Sequence, residues 1–230
     1  MTATPYPLRI TGELDPNLSR GLWIVKWLLA LPHIFVLAFL WIAFLLTSIV
    51  ALFAILFTGR YPRGLFDFNV GVMRWSWRVT FYAYGIIGTD RYPPFTLADV
   101  PDYAAHLDVD YPDHLSRGLV LVKWWLLAIP HYLIAGAIVG GGPYAGDPDY
   151  SAWLFGGGLI GAMTTVAAFW LLFTGRYPRT LFDAIMGLHR WTVRVGVYVS
   201  LMTDVYPPLR LDQGGGEPER ASIDDAPAPA

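Results

Sequence analysis

Two groups of charged side chains recur at the same spacing, and they are the residues best placed to do chemistry. Asp67, Arg74 and Arg78 stand at i, i+7 and i+11, and Asp183, Arg190 and Arg194 repeat the pattern. On a helix these positions fall within about 40° of arc, so each trio forms a stripe, which Gly71 and Gly187 share. A guanidinium presents donors in a planar fork that grips a phosphate or carboxylate through two parallel bonds. Arg74 lies near the middle of a long aromatic segment. Translocon scales put about 2.5–3.5 kcal/mol on a central arginine, so such a residue faces a protein interior or a wet cavity. Three uses fit the stripes. They could form a polar pocket for an anionic group such as a lipid phosphate. They could form a clasp in which Asp of one stripe bonds Arg of the other, the glycines allowing close approach. Or the arginines could snorkel to lipid headgroups.

A second repeated set is Lys26 with His33 and Lys123 with His131, each histidine following a proline. These are expected near a membrane surface, the histidine bonded to backbone freed by that proline. Two isolated histidines without neighbouring carboxylates make a poor metal site, so no metal and no cofactor is implied. Arg60, Arg63, Arg176 and Arg179 belong to two RYPR turns. The chain has no HExxH, GxSxG, P-loop or dinucleotide fingerprint. With no cysteine, thiol nucleophiles and disulfides are excluded. Asp90 and Asp204, the other repeated carboxylates, read as helix stops. An enzyme is therefore not expected.

The elements that must carry these residues are unusually apolar. Of the 230 residues 55% are hydrophobic and only 15% charged, against about 45–50% and about 25% in soluble domains. The net charge of −2 supplies no basic field for nucleic acid. The first 17 residues lack a short apolar run ending in a small-residue cleavage site, so a removable signal peptide is not expected. From Leu18 to Phe57 the ionisable interruptions are Arg20, Lys26 and His33. As one helix this stretch would run about 60 Å, twice the ~30 Å hydrocarbon core, so it must break at Pro32. That gives a helix over 17–31, interfacial or re-entrant with a short tilted span as the alternative, and a span over 33–57. Gly59 caps the span, and Pro62 opens a second over 62–87.

The same programme runs twice. TGRYPRGLFD from Thr58 returns as TGRYPRTLFD from Thr174, nine of ten identical. LSRG at Leu18 and Leu115, Lys-Trp, Pro-His, Arg-Trp and TDxYPP companions keep the same order. The chain therefore divides into a first membrane repeat, 1–100, and a second, 101–212, followed by an acidic, disordered tail over 213–230. The second repeat contains an interfacial or re-entrant segment over 114–139, a polar glycine-rich loop around Gly140–Asp149, and spans over 152–173 and 178–202. Trp125 is an extra residue that turns the helical face by ~100° unless a π-bulge absorbs it. Two spans per copy make the repeats parallel, with both termini on one side of a multi-pass protein of the cell (inner) membrane. Four arginines in the RYPR turns favour placing those turns in the cytoplasm, while the basic residues of the interfacial helices argue the other way. Short period-2 stretches at Leu8–Glu13 and His106–Asp110 read as strands, which Phe95–Leu97 and Leu209–Leu211 could join in a small extramembrane sheet.

With its doubled TGRYPR-x-LFD motif and the LSRG, KW…PH and YPP companions, the chain resembles a bacterial, mainly actinobacterial, membrane-protein family known as a domain of unknown function, DUF4389, here in two tandem copies. The resemblance implies a multi-span bacterial membrane protein and brings no activity or site; the helical segments themselves predict an all-α integral membrane protein. The functional expectation is a non-enzymatic membrane component that engages the bilayer, its anionic headgroups, a membrane partner or a second copy through the Arg/Asp stripes. The alternative is a small oligomeric transporter or channel with an Arg-lined anion pathway.

Overall fold

The computed structural model describes residues 6–139 and 158–212. Among them the chain forms a two-stranded sheet and seven helices: β1 (Leu8–Gly12), α1 (Trp23–Leu29), α2 (Leu31–Thr58), α3 (Arg63–Tyr82), β2 (Ala105–Val109), α4 (Leu119–Val122), α5 (Ile129–Val139), α6 (Leu159–Thr174) and α7 (Arg179–Val199). The polar loop over 140–149, the start of the span expected at 152, and the tail over 213–230 lie outside the described residues.

The expected breaks fall where the side chains put them. Pro32 sits in the first turn of α2, where its missing N–H costs nothing. At the far end Gly59 adopts φ 72° and its N–H bonds Ile55 O at 2.7 Å; Gly175 does the same after α6 with φ 71° and Leu171 O at 2.8 Å. Only glycine takes up this left-handed cap without strain. The Thr hydroxyls of both TGRYP motifs close the turn. Thr58 Oγ1 donates to Ala54 O and accepts from Arg60 N; Thr174 does so with Trp170 and Arg176. Pro62 and Pro178, both extended, then launch α3 and α7.

Each pair folds back as a hairpin. In the first, Thr47 on α2 bonds Asn69 on α3, and Trp41 bonds Ser76. The two hairpins meet through α3 and α7. Phe81 packs on Phe182, Trp77 on His189, and Met73 against Gly196. As one number falls the other rises, so α3 and α7 run antiparallel, and so do α2 and α6. This corrects the parallel arrangement expected of the repeats: two-helix hairpins can meet either way round, and the side chains between α3 and α7 decide.

β1 and β2 pair antiparallel, Leu8 opposite Val109 and Gly12 opposite Ala105. The sheet lies over α3 and α7, with Trp77 Nε1 donating to Thr11 O at 3.0 Å. Phe95–Leu97 and Leu209–Leu211, expected to join the sheet, instead run as tails beside α3 and α7. The extra Trp125 is absorbed in an irregular stretch between α4 and α5, where the Leu127 N–H reaches back five residues to Val122 O at 3.2 Å. Lys123 and His131 are thereby returned to the interior.

The apolar helices form an outer layer. α2 is 28 residues long, its most apolar 18-residue stretch has mean hydropathy 2.7, and among the described residues it alone is long and apolar enough to cross a membrane. α6 has 16 described residues. α3 and α7, expected as spans, are long enough but carry the charged stripes, and their apolar side chains are buried between the layers. The described helices therefore do not by themselves support the expected multi-pass path.

Candidate functional site

Arg78 and Arg194, both 1% exposed, hold the chain's own backbone. Arg78 donates to Ala98 O at 2.9 Å and to Thr96 O. These carbonyls flank Leu97, whose Cβ would stand 2.8 Å from any Cβ added at Gly71. Arg194 repeats the arrangement with Arg210 O at 2.7 Å and Asp212 O, flanking Leu211, which lies 2.8 Å from a Cβ built on Gly187. Each stripe is therefore a seat. Glycine opens a notch in the helix, a leucine of the tail fills it, and an arginine pins the carbonyls on either side.

Arg74 is spent differently. Its Nε donates to Leu107 O at 2.8 Å and its NH2 pairs with Asp108, both on β2. Arg190 occupies the matching place on α7 and is half-buried. Asp67 and Asp183 are exposed, and Asp67 pairs weakly with Arg63 one turn back at 3.6 Å. The clasp, one of the three uses open to the stripes, is not made by Asp67, whose exposed carboxylate lies beside Arg63 on the same helix. A polar cavity of about 340 Å³ between α3 and β2 is lined by Arg63, Arg74, Asp67, Asp108, Asp110 and Tyr111. Three carboxylates face two guanidiniums there, and Arg63 lies over the Tyr111 ring at 4.5 Å. Arg9 also pairs with Asp108 and Asp110, at 2.9 and 2.7 Å, so the charges of this cavity are matched within the chain.

Lys26, His33, Lys123 and His131, expected near a membrane surface, are all buried within the protein, none more than 3% exposed. Lys26 Nζ donates to Thr89 O at 2.7 Å and pairs with Asp90 at 2.7 Å; Lys123 does so with Thr203 O at 3.0 Å and Asp204 at 2.7 Å. The second oxygen of each carboxylate accepts the backbone N–H of Ser19 or Ser116 at 2.6 Å. Asp90 and Asp204 are thus not mere helix stops but the anions that neutralise buried lysines. The signal that could have found them is the joint recurrence of Lys and Asp in both copies. Burial lowers the Lys26 ammonium below its ordinary range, partly offset by Asp90. Burial would raise the Asp90 carboxyl, but the bonds from Lys26 and Ser19 outweigh it and hold it below its usual 3.8. His33 accepts from Trp75 Nε1 at 3.0 Å and stacks on Phe95. His131 stacks on Trp191 and meets Tyr206 Oη and Pro207 O, both at 3.3 Å. Among the described residues no group of His, Asp or Glu could hold a metal.

The free cations lie elsewhere. Arg60, Arg176 and Arg179 are exposed and have no ion-pair partner among the described residues. Each hairpin tip receives an LSRG segment of the other half. Arg20 lies over Gly175, its Nε 2.6 Å from a Cβ built there, and Leu115 N bonds Gly59 O at 2.9 Å, two residues before Arg117. Three arginines thus gather at each tip, beside Phe57 and Phe173, which are 73% and 78% exposed.

Fold and site together define a mostly helical protein with a small sheet, an apolar outer layer and arginine-rich hairpin tips. The family described as Domain of unknown function (DUF4389) matches residues 20–96 and 151–209, more than half of the chain, in two segments, and the protein belongs to it. No curated protein and no solved structure matches it.

Proposed function

We propose that the protein is a non-enzymatic, membrane-embedded component made of two copies of one helical-hairpin module, which anchors to anionic lipid through the arginines of its hairpin tips. One observation carries this reading. In α1, α2, α5 and α6 the only ionisable side chains apart from tyrosine are Lys26, His33 and His131, and all three are buried, while Phe35, Phe39, Ile42, Leu45 and Leu46 on α2 are exposed. An apolar surface this large marks contact with lipid or a partner. Exposed arginine beside aromatic rings at the ends of apolar helices suits the headgroup level, where each cation near an anionic surface contributes about 1 kcal/mol.

The exposure of Arg60, Arg63, Arg176 and Arg179, with Arg20 and Arg117 beside them, favours these residues over the stripes as the anion contact. The transporter alternative would need free guanidiniums along a path, whereas Arg74, Arg78 and Arg194 are engaged with carbonyls or a carboxylate. The test is flotation of the purified protein, exchanged from detergent, on vesicles of neutral or of neutral plus anionic phospholipid. Wild type should incorporate into both and bind anionic vesicles more tightly at low salt. Arg60→Gln, Arg63→Gln, Arg176→Gln and Arg179→Gln together should abolish the anionic preference and leave incorporation intact. Failure to incorporate into either vesicle would reject the membrane reading. An unchanged anionic preference in the variant would reject the arginine contact.

A further inference from the structure

The two faces of the helical layer differ in a way that fixes how it can sit in a bilayer. On one side lie α2 and α6, with no charged side chain in α2 or in the described length of α6. On the other lies the sheet, which presents an ion-paired cluster of Arg9, Asp108 and Asp110 at 59%, 48% and 54% side-chain exposure. This charged sheet lies over the middle of α3, because Arg74 bonds Leu107 O and Asp108, and Trp77 bonds Thr11 O. If α2 and α3 stood across the membrane, those exposed charges would lie at mid-depth, where they are costly. The antiparallel course of α3 and α7 makes the conflict general. Any axis that relates the hairpins is perpendicular to the helices and runs from the charged sheet to the apolar layer.

We propose that this axis is the membrane normal. α2 and α6 then lie in the plane of one leaflet, immersed among its acyl chains, and the sheet faces water. This rests on the membrane reading above and specifies it. The protein occupies one leaflet, and both arginine-rich tips reach the headgroups of that same leaflet, about 40 Å apart at the two ends of α2. The length of α2, which permits a crossing, becomes instead the length of the immersed face.

Spin labels along one stripe of α2 decide the question, and the absence of cysteine means that each label has a single site. Phe35, Leu46 and Phe57 are eleven residues apart and share a face to about 20° per step. They are 67%, 59% and 73% exposed, so a cysteine there disturbs no core. Phe39 and Val50, also eleven apart and exposed, form a second set. Each labelled variant is reconstituted in vesicles, and immersion depth is read from the opposed relaxation by oxygen and by a water-soluble nickel chelate. The in-plane arrangement gives equal depths within about 5 Å along each set. A crossing helix makes Leu46 deeper than Phe35 and Phe57 by about 15 Å, since the ends are about 33 Å apart, and that result overturns the proposal while leaving membrane embedding intact. If every position relaxes with the aqueous chelate alone, the membrane reading itself falls, and this proposal with it.

Discussion

The Lys26–Asp90 pair allows the sharpest quantitative prediction. Lys26 is 1% exposed at its side chain and Asp90 21%, so the pair is nearly desolvated. In Asp90→Asn the amide oxygen keeps the Ser19 N–H, and Thr89 O keeps one ammonium hydrogen, but the ammonium loses its counter-charge. Removing one partner of a fully buried pair costs about 3–5 kcal/mol. The partial exposure of Asp90 lets water return and reduces this to about 2–3 kcal/mol. For a chain of this length that corresponds to a fall in Tm of roughly 4–12 °C. The assay is thermal unfolding in mild detergent, followed by fluorescence of the ten tryptophans. Asp204→Asn should lose a similar amount, because Lys123 and Asp204 repeat the distance of 2.7 Å. The double variant Lys26→Met with Asp90→Asn should recover much of the loss, since an uncharged pair leaves no unpaired buried charge. A single-variant loss below about 0.5 kcal/mol, or a double variant as poor as the sum of its parts, would refute the pairing as a source of stability.

Other consequences follow from the same contacts. Gly71→Ala and Gly187→Ala should each cost about 1–3 kcal/mol, because the new methyl meets Leu97 or Leu211 at 2.8 Å. Gly64→Ala on the same helix meets nothing within 4 Å and should be neutral or stabilise by up to about 1 kcal/mol, so equal signs at Gly64 and Gly71 would rule out the seat. Arg78→Lys keeps the charge but cannot fork across two carbonyls, so it should increase proteolysis or amide exchange of the tail around Leu97. The Asp90 carboxyl is held below its ordinary 3.8 in the folded state. Its stabilising share is therefore complete above that value and disappears as pH falls through the depressed one. A Tm titration between about pH 6 and pH 3 should narrow the gap between wild type and Asp90→Asn towards the acid end.

How much of this was legible in the sequence differs by kind of contact. The breaks between helices were, because Pro32, Gly59, Pro62, Gly175 and Pro178 act through their own backbone chemistry and need no partner, whereas the helix expected over 17–31 runs only from Trp23 to Leu29 and the one expected over 62–87 stops at Tyr82. The strands Leu8–Gly12 and Ala105–Val109 were visible in their alternation, but their pairing with each other was not, because five residues carry no record of which neighbour they meet. The stripes were visible as stripes. Their purpose was hidden, since the groups that Arg78 and Arg194 hold are backbone carbonyls, which leave no mark in a side-chain pattern. The exchange between halves was equally silent. Tyr6, in the first half, bonds Val205 O beside α7, while Tyr103, in the second, bonds Arg91 O beyond α3. A duplicated sequence assigns each residue a counterpart but does not say which copy supplies its partner. Asp90 and Asp204 were misread for a related reason: a carboxylate next to a turn is sufficiently explained by the turn, and the lysine it neutralises lies 64 and 81 positions away.

The claim on which the account rests is that the exposed face of α2 touches acyl chains. A single cysteine at Leu46, labelled with an environment-sensitive fluorophore and reconstituted in vesicles, tests it most directly. The account predicts strong quenching by phospholipids brominated on their acyl chains and little by aqueous iodide. Strong quenching by iodide with none from the brominated lipid would contradict it.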